Sequence, residues 1–225
     1  MSLSKSPLRV DSLFHSLQGE GPLAGRPSHF LRLHGCNLRC RFCDTPRSQG
    51  GASPLPLTCE EALERLLNLY PGRENLVVTG GEPLLQREAL KEFFQRANPL
   101  FTTREIETNG TIPPGELSGM DLRFNVSPKL SGSGISLQER LVWPALEEFS
   151  SLPKTFFKFV VGSEGEADEA LQVVVRLKIP LERTALMVCG GDRDAVDRGA
   201  CQTARWALER GMGYCDRLHL RLGIE

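Results

Sequence analysis

The stretch FLRLHGCNLRCRFC, residues 30–43, joins a short apolar run to a loop that contains three cysteines. The run ends at Gly35, and Cys36, Cys40 and Cys43 follow in a CxxxCxxC spacing. Cysteine thiolates bind iron and sulfide, so three of them on one short loop can hold three corners of an iron–sulfur cube. The remaining iron then keeps an open position, which suits substrate chemistry better than electron transfer alone. The stretch therefore predicts a buried strand that leads directly into a catalytic cluster site.

Strand-like and helix-like segments alternate along the chain on either side of this loop. The predicted strands are 28–35, 75–79, 104–108, 122–127, 155–161 and 184–188. The first predicted helix is capped by Thr58 and Glu61, and the others cover 84–97, 137–149, 166–178 and 194–211. Such alternation is typical of a parallel sheet with helices packed outside it. About six units are fewer than the eight of a closed barrel, so we expect an α/β fold, an open partial barrel, in one domain over residues 1–225.

The composition favours a small-molecule substrate. With 225 residues, of which 40% are hydrophobic, the chain can bury one sizeable core. Its 27 basic and 28 acidic residues give a net charge of -1, so no overall field attracts a nucleic acid. No apolar run reaches the length of a membrane span, and residues 1–10 do not resemble a secretory signal. We therefore expect a cytoplasmic protein with no membrane or nucleic-acid partner.

The cysteine count of seven is odd, which indicates reduced thiols rather than a disulfide framework. Reduced thiols are also what a cluster site requires. Four cysteines lie outside the loop and are expected to be small buried residues: Cys59, Cys189, Cys201 and Cys215.

Three further loops, 80–83, 108–111 and 127–129, follow predicted strands. The paired glycines of the first allow a backbone to approach a ligand closely, and Glu82 can accept a hydrogen bond from an ammonium group. The third offers a hydroxyl and an ammonium group to carboxylate or ribose oxygens. Taken singly, each loop is equally typical of an ordinary surface turn. Because the carboxyl ends of parallel strands meet at one edge of a sheet, we expect these loops to join the cysteine loop in one site.

The residues before the cysteines indicate a second part of the site. The segment 17–21, Leu-Gln-Gly-Glu-Gly, combines a flexible backbone with an amide and a carboxylate. This set suits the donor-rich edge of a heterocycle. Arg32 can bind a substrate carboxylate with both of its terminal nitrogens. A glycine-rich turn and a surface arginine are the alternative interpretations.

Longer segments of the chain resemble the 7-carboxy-7-deazaguanine synthase family of radical S-adenosylmethionine (SAM) enzymes, which act in the deazapurine pathway to queuosine. The likeness extends from about residue 11 to residue 219. It is carried by FHSLQGEG (14–21), GRP (25–27), FLRLHGCNLRCRFCDT (30–45), TGGEP (79–83), ETNGT (107–111), NVSPK (125–129) and KFVV (158–161). The cysteine loop alone is typical of the whole superfamily, and its combination with Leu-Gln-Gly-Glu-Gly and Cys-Asp-Thr selects this family.

The resemblance implies roles for particular residues. A [4Fe-4S] cluster would be held by Cys36, Cys40 and Cys43. SAM would be held by Phe42, Cys43, Asp44, Gly81, Glu82, Ser127, Pro128 and Lys129. The pterin substrate, 6-carboxy-5,6,7,8-tetrahydropterin, would contact Leu17, Gln18, Gly19, Glu20, Arg32 and Thr79. A Mg²⁺ ion would bind the hydroxyl group of Thr45 together with substrate oxygens.

The resemblance also implies the reaction. The pterin ring contracts to 7-carboxy-7-deazaguanine and nitrogen leaves as ammonia. The reactive species is a SAM-derived radical, so no side chain acts as a nucleophile, and the protein supplies placement and exclusion of water. A small electron donor such as flavodoxin and a homodimeric assembly are further implied.

The chain departs from its relatives at three places. Relatives often have an aromatic residue after Cys-Asp-Thr, where this chain has Pro-Arg-Ser-Gln at 46–49. They commonly have a proline and a polar residue where this chain has Val-Cys-Gly-Gly at 188–191. The last residues, 220–225, do not include the terminal residue that reaches the substrate in some relatives. We expect His219 to be a packed strand residue. Two other interpretations stay open: an activase that places a glycyl radical on a partner protein, and a non-catalytic zinc module in which Cys59 joins the loop cysteines.

Overall fold

The computed structural model describes residues 7–46 and 53–224. Its strands are β1 (Leu8–Leu17), β2 (Pro27–Leu33), β3 (Leu55–Leu57), β4 (Asn75–Gly80), β5 (Thr103–Thr108), β6 (Arg123–Val126), β7 (Thr155–Val161), β8 (Thr184–Val188) and β9 (Gly213–Cys215). Its α-helices are α1 (Cys59–Leu69), α2 (Arg87–Ala97), α3 (Leu137–Arg140), α4 (Trp143–Ser151), α5 (Glu164–Leu177), α6 (Arg193–Glu209) and α7 (Leu218–Leu222).

The strands form one sheet in the order β3-β1-β2-β4-β5-β6-β7-β8-β9. From β2 to β9 every neighbouring pair is parallel, whereas β1 pairs antiparallel with both β2 and β3. The sheet is therefore open and mostly parallel, and it includes all of the predicted strands. The expected α/β architecture with outer helices is confirmed.

Strands β4 to β8 are buried along most of their length, as expected for parallel strands with both faces covered. In β4, Leu76, Val77 and Val78 have no exposed surface. Phenylalanine rings from α2, α4, β6 and β7 fill the core between sheet and helices: Phe93, Phe94, Phe124, Phe149, Phe157 and Phe159. A continuous apolar core of this kind fixes the strand ends that carry the loops.

Helix α1 begins at the predicted capping box. The hydroxyl oxygen of Thr58 accepts a hydrogen bond from Glu61 N at 3.2 Å, and Thr58 N donates to the Glu61 carboxylate at 2.7 Å. Ala62, Leu63 and Leu66 lie on its buried face. Burial of each leucine contributes roughly 1.5–3 kcal/mol, which holds the helix against the sheet.

One predicted helix differs from the structure, and one long strand was not predicted. The single helix predicted over 137–149 is two helices, α3 and α4, because Pro144 lacks an amide hydrogen and starts a new helix in its first turn. Strand β1 was not predicted. Only Leu8 and Val10 of this strand are buried, and its other inner positions are half-buried, so its sequence lacks a clear apolar period.

Among the described residues, no helix is both long and apolar enough to cross a membrane. Cys59 and Cys215 are buried as predicted, and Cys189 is half-buried. Cys201 is exposed on α6, so the prediction that it is buried is wrong. Of residues 46–49, where the sequence departs from its relatives, residues 47–49 lie outside the described part of the chain.

Candidate functional site

The carboxyl ends of β2, β4, β5 and β6 carry the loops with the predicted site residues. Their register sets Leu33 beside Gly80 and Thr108 beside Val126, so the loops leave the sheet at one edge. A cavity of about 160 Å³ lies at this edge. Its walls include most of the residues predicted to hold the cluster or SAM: Cys36, Cys40, Phe42, Cys43, Asp44, Gly81, Ser127 and Lys129.

The three loop cysteines are half-buried in this wall. Cys43 N donates a hydrogen bond to Cys40 O at 3.3 Å, which folds the second half of the loop into a turn. Burial raises the pKa of the Cys36 and Cys40 thiols, although the nearby Lys129 ammonium opposes that rise. Thiols in such surroundings need a bound cation to become thiolates, which is what an iron–sulfur cluster provides.

The paired glycines bring β4 against the cysteine loop. Gly80 has φ +140°, and a Cβ there would lie 2.1 Å from Leu33 O. A Cβ on Gly81 would lie 2.1 Å from Gly35 O and 2.9 Å from Cys36 Cβ. Only glycine permits this approach. The pair therefore serves first to hold the loop that carries the cysteines, and Gly81 also forms part of the cavity wall.

Glu82 lies behind the wall of the cavity. Its carboxylate is fully buried and accepts hydrogen bonds from Thr108 Oγ1 at 2.8 Å, Asn109 N at 2.7 Å and Leu84 N at 3.0 Å. Burial raises its pKa despite these donors. The carboxylate thus ties the loop after β4 to the loop after β5, and it does not line the first cavity, where SAM was predicted to bind.

Ser127 and Lys129 do reach the cavity. Lys129 Nζ donates to Ser127 Oγ at 3.1 Å, and Pro128 between them is buried. Burial lowers the pKa of Lys129. Its ammonium group therefore faces the cysteine loop rather than open solvent, in contrast to a surface-turn lysine.

A second cavity of about 430 Å³ adjoins the first. It is lined by all of the residues predicted to contact the pterin: Leu17, Gln18, Gly19, Glu20, Arg32 and Thr79. The two cavities have a common wall formed by Asp44, Thr45, Thr79, Gly80 and Glu107. A cofactor in the first cavity and a substrate in the second would therefore lie next to each other.

A buried lysine joins two carboxylates at the base of these cavities. Lys158 Nζ lies 2.5 Å from Glu20 Oε2 and 2.5 Å from Glu107 Oε2. Burial would raise the pKa of Glu20, but Lys158 and Arg217 outweigh it and hold this pKa well below its usual range. Burial raises the pKa of Glu107, and the attraction of Lys158 offsets this rise only in part. The pKa of Lys158 is raised, because the two carboxylates outweigh its desolvation.

Arg217 extends this network to the cysteine loop. Its guanidinium donates to Glu20 at 3.2 Å and forms a close ion pair with Asp44. It also donates to Gly190 O, so the departure at residues 188–191 keeps a backbone contact. Lys158 and Arg217 had no predicted role. A lysine within the otherwise apolar β7 was the signal that sequence reasoning passed over.

Gln18 adds an amide to the same cluster. Its Nε2 donates to Glu107 at 3.2 Å and to Glu105 at 3.4 Å, while its Oε1 accepts from Glu20 N at 3.3 Å. Gln18 is buried. The segment that follows β1 is therefore held over the inner face of the sheet by side chains of β5 and β7.

This segment also reaches the far edge of the sheet. Gly21 N donates to Cys215 Sγ at 3.1 Å, and Leu218 N donates to Gly19 O at 2.9 Å. Residues 18–21 thus connect the end of β1 with β9 and α7. They close the open side of the partial barrel.

Arg32 and Thr45 meet at the common wall. Arg32 Nη1 donates to Thr45 Oγ1 at 3.2 Å, and its guanidinium carbon lies 5.4 Å from the centre of the Phe14 ring. Thr45 Oγ1 donates to Asp44 Oδ1 at 2.9 Å. The predicted magnesium ligand is therefore accompanied by a carboxylate, and both oxygens face the cavities.

His219 is not a strand residue, so that prediction is wrong. It lies on the short helix α7, which ends at Gly223 with φ +65°. Its ring packs against Gly19, where an added Cβ would meet Nδ1 at 2.0 Å. Burial lowers its pKa. The structure places His219 in the wall of the second cavity.

Comparisons with known proteins agree with this geometry. Residues 31–121 match the family model of the radical SAM superfamily. A 7-carboxy-7-deazaguanine synthase from Pyrobaculum aerophilum is 36% identical over 223 residues, covering 97% of this chain and 96% of that protein. One from Rhodopirellula baltica is 35% identical, covering 97% and 87%. The crystal structure of QueE from Escherichia coli has the same fold, with a TM-score of 0.72 at 23% identity over 95% of both chains.

The open parallel sheet, the cysteine loop and the matching family model define an enzyme of the radical SAM superfamily. Membership implies a [4Fe-4S] cluster and SAM. Because relatives above 30% identity match nearly the full length, the chain belongs to the 7-carboxy-7-deazaguanine synthase family. The resemblance seen in the sequence is confirmed, together with the family's place in queuosine biosynthesis. Both the glycyl-radical activase and the zinc module are thereby set aside.

Proposed function

We propose that this enzyme converts 6-carboxy-5,6,7,8-tetrahydropterin to 7-carboxy-7-deazaguanine with release of ammonia. The observation that carries the proposal is the common wall of the two cavities. One cavity contains the three cysteines, and the other contains the amide, carboxylate and guanidinium groups that suit a carboxylated pterin. Placing a reactive carbon radical beside its target is the main task of such a site.

The first cavity fits the cluster and SAM. Cys36, Cys40 and Cys43 are half-buried thiols of its wall, and burial raises the pKa of Cys36 and Cys40, which disfavours their thiolate forms unless a cation binds. Gly81 offers backbone, while Lys129 offers an ammonium group for a carboxylate. When bound, the cluster and SAM supply the one-electron chemistry that removes a hydrogen atom from carbon.

The second cavity fits the pterin through complementary charges. Glu107 and Glu20 present carboxylate oxygens that accept from ring N–H and amino groups. Lys158 keeps these carboxylates in place, since it contacts both at 2.5 Å. Arg32 is the cation that binds the substrate carboxylate. Gln18 and Lys158 are themselves buried, so their contacts with these carboxylates form inside the protein rather than in open solvent.

A magnesium site at Thr45 is part of the proposal. Mg²⁺ prefers oxygen ligands and keeps several waters, so it rarely needs a full protein cage. The Thr45 hydroxyl and the neighbouring Asp44 carboxylate supply oxygens at the common wall. An ion there would draw substrate oxygens towards the first cavity. A homodimer, a cytoplasmic location and a flavodoxin-like donor complete the proposal.

The direct test is anaerobic incubation of reconstituted protein with SAM, dithionite and the carboxytetrahydropterin, followed by mass spectrometry. The expected product is 7-carboxy-7-deazaguanine, formed with ammonia. Cys40→Ala is the matched control and should lose both bound iron and cleavage of SAM. If the native protein cleaves SAM but leaves the pterin unchanged, the proposed substrate is wrong.

A further inference from the structure

We infer that the outer face of the cysteine loop is a docking surface for an acidic electron-carrier protein, centred on the exposed Arg9, Arg39 and Arg41. The inference rests on the proposed function and names a partner for it. Each reductive cleavage of SAM consumes one electron, so the protein needs a donor that can come close to the cysteines.

Arg39 places a cation directly on the loop. Its side chain is exposed, and its Nη1 donates to Cys36 O at 2.8 Å and to Leu38 O at 3.2 Å. Leu38 itself is buried and anchors the middle of the loop. The guanidinium group is therefore held over the backbone that carries the first cysteine, with its remaining donors free to face solvent.

Arg9 and Arg41 add two further exposed cations. Arg9 is exposed on β1, and its Nη2 would lie 3.3 Å from a Cβ added at Gly35, the residue before the first cysteine. Arg41 is exposed and lies over Gly134, where an added Cβ would meet its Nε at 2.7 Å. Three exposed guanidinium groups thus lie on the cysteine loop or next to it.

The cysteine loop itself carries no compensating negative charge. Residues 35–43 contain two arginines and no acidic residue, although the whole chain has a net charge of -1. Within residues 7–46 and 53–224, no carboxylate forms an ion pair with Arg9, Arg39 or Arg41. Asp44, the next acidic residue, is paired with Arg217 towards the cavity. A concentrated positive patch on a nearly neutral protein steers an acidic partner to that patch.

The geometry also favours this side for electron entry. The inner side of the loop lines the cavity that holds SAM and adjoins the substrate cavity. A protein donor is too large for that space. Cys36, Cys40 and Cys43 are each half-buried on this short loop, so a carrier seated on the arginines is separated from the cluster by the loop alone.

The test compares two electron sources. SAM cleavage is measured with dithionite, which is small and needs no docking, and with a reduced acidic flavodoxin. Arg9→Glu/Arg41→Glu should raise the KM for flavodoxin on the order of 10-fold at low salt, because steering depends on charge. Iron content and the dithionite-driven rate should stay within about twofold of native, since neither arginine contacts a cavity. This readout stands even if the native enzyme fails to convert the pterin.

The matched control reverses two exposed arginines elsewhere. Arg198→Glu/Arg205→Glu makes the same change of charge on α6, which packs on the opposite end of the sheet. Its KM for flavodoxin should stay within about twofold of native, because steering is strongest at the contact. Equal increases in both double variants would overturn the inference and leave only an effect of net charge.

Binding gives an independent readout. Calorimetric titration of the native protein with oxidised flavodoxin should show an affinity that falls as salt rises, and Arg9→Gln/Arg41→Gln should weaken it. An affinity that is independent of salt, or equal in native and variant proteins, refutes the docking surface. Sedimentation that shows a native dimer broken by the same variant also refutes it, since a second copy would then cover this face.

Discussion

Replacement of Lys158 by methionine tests the buried charge cluster most directly. The lysine side chain is 3% exposed and contacts Glu20 and Glu107 at 2.5 Å each. In Lys158→Met, Glu20 keeps Arg217, whereas among residues 7–46 and 53–224 Glu107 keeps only the amides of Gln18 and Asn125. Loss of one partner from a buried ion pair typically costs about 3–5 kcal/mol, because a buried charge is left without compensation. We expect a loss of this size in the free energy of unfolding at pH 8.

The dependence on pH gives the prediction its sign. Burial already raises the pKa of Glu107, and removal of Lys158 raises it further. The folded variant then binds a proton that the unfolded chain does not bind above pH ~4.3. Its stability therefore increases as the pH falls towards that value, by up to about 1.4 kcal/mol per pH unit below the new pKa. The deficit of the variant relative to the native protein should be smaller at pH 6 than at pH 8.

Urea unfolding, followed by tryptophan fluorescence in anaerobic protein of matched iron content, measures this deficit. Lys154→Met is the control, because Lys154 is 52% exposed in its ion pair with Asp121. Exposed pairs contribute about 0–1 kcal/mol. Lys158→Met/Glu107→Gln should recover most of the loss, since it removes the uncompensated charge. A deficit below about 1 kcal/mol, or one that does not change with pH, would refute the reasoning.

Three further predictions concern the cavity walls. Gly80→Ala should lower the free energy of unfolding by about 2 kcal/mol or more, because φ is positive there and the new Cβ would clash with Leu33 O. Gly119→Ala is the control: nothing lies within 4 Å of the added Cβ, so the same unfolding assay should show no change. Arg32→Ala should raise the KM for the pterin by about 10- to 100-fold through loss of a charge-assisted contact, and an unchanged KM in steady-state assays would remove its carboxylate role. Thr45→Ala should shift the Mg²⁺ concentration that gives half-maximal turnover, and superimposable magnesium titrations would contradict that ligand.

The parallel part of the sheet could be predicted because its strands are buried on both faces. Segments such as β4 and β7 consist mainly of apolar residues, and the glycine and proline residues around them mark their ends. Strand β1 could not be predicted in the same way. Most of its side chains are half-buried, and its pairing with β2 depends on the turn at Gly21–Leu23. Strand β9 has three residues, which is too short for a period to appear.

The candidate site was only partly accessible from sequence. The cysteine spacing and the paired glycines are local signals, and the structure brings them together. The cluster of Glu20, Glu107, Lys158 and Arg217 is not local, since Glu20 and Lys158 are 138 positions apart. The role of Glu82 was also not predictable, because its hydrogen-bond partners Thr108 and Asn109 are distant in sequence. Its carboxylate joins two loops and does not line the cavity.

The segment 18–21 has a consequence for how variants of this enzyme should be interpreted. The same few residues line the second cavity and connect the end of β1 with β9 and α7. The packing of the sheet and the shape of the second cavity therefore depend on the same segment. A side chain at Gly19, for example, would displace the ring of His219 and weaken the contact between this segment and α7, even without a bound substrate. We therefore expect homologues that bind a differently shaped ligand to differ both in residues 18–21 and in the residues of β9 and α7 that contact them.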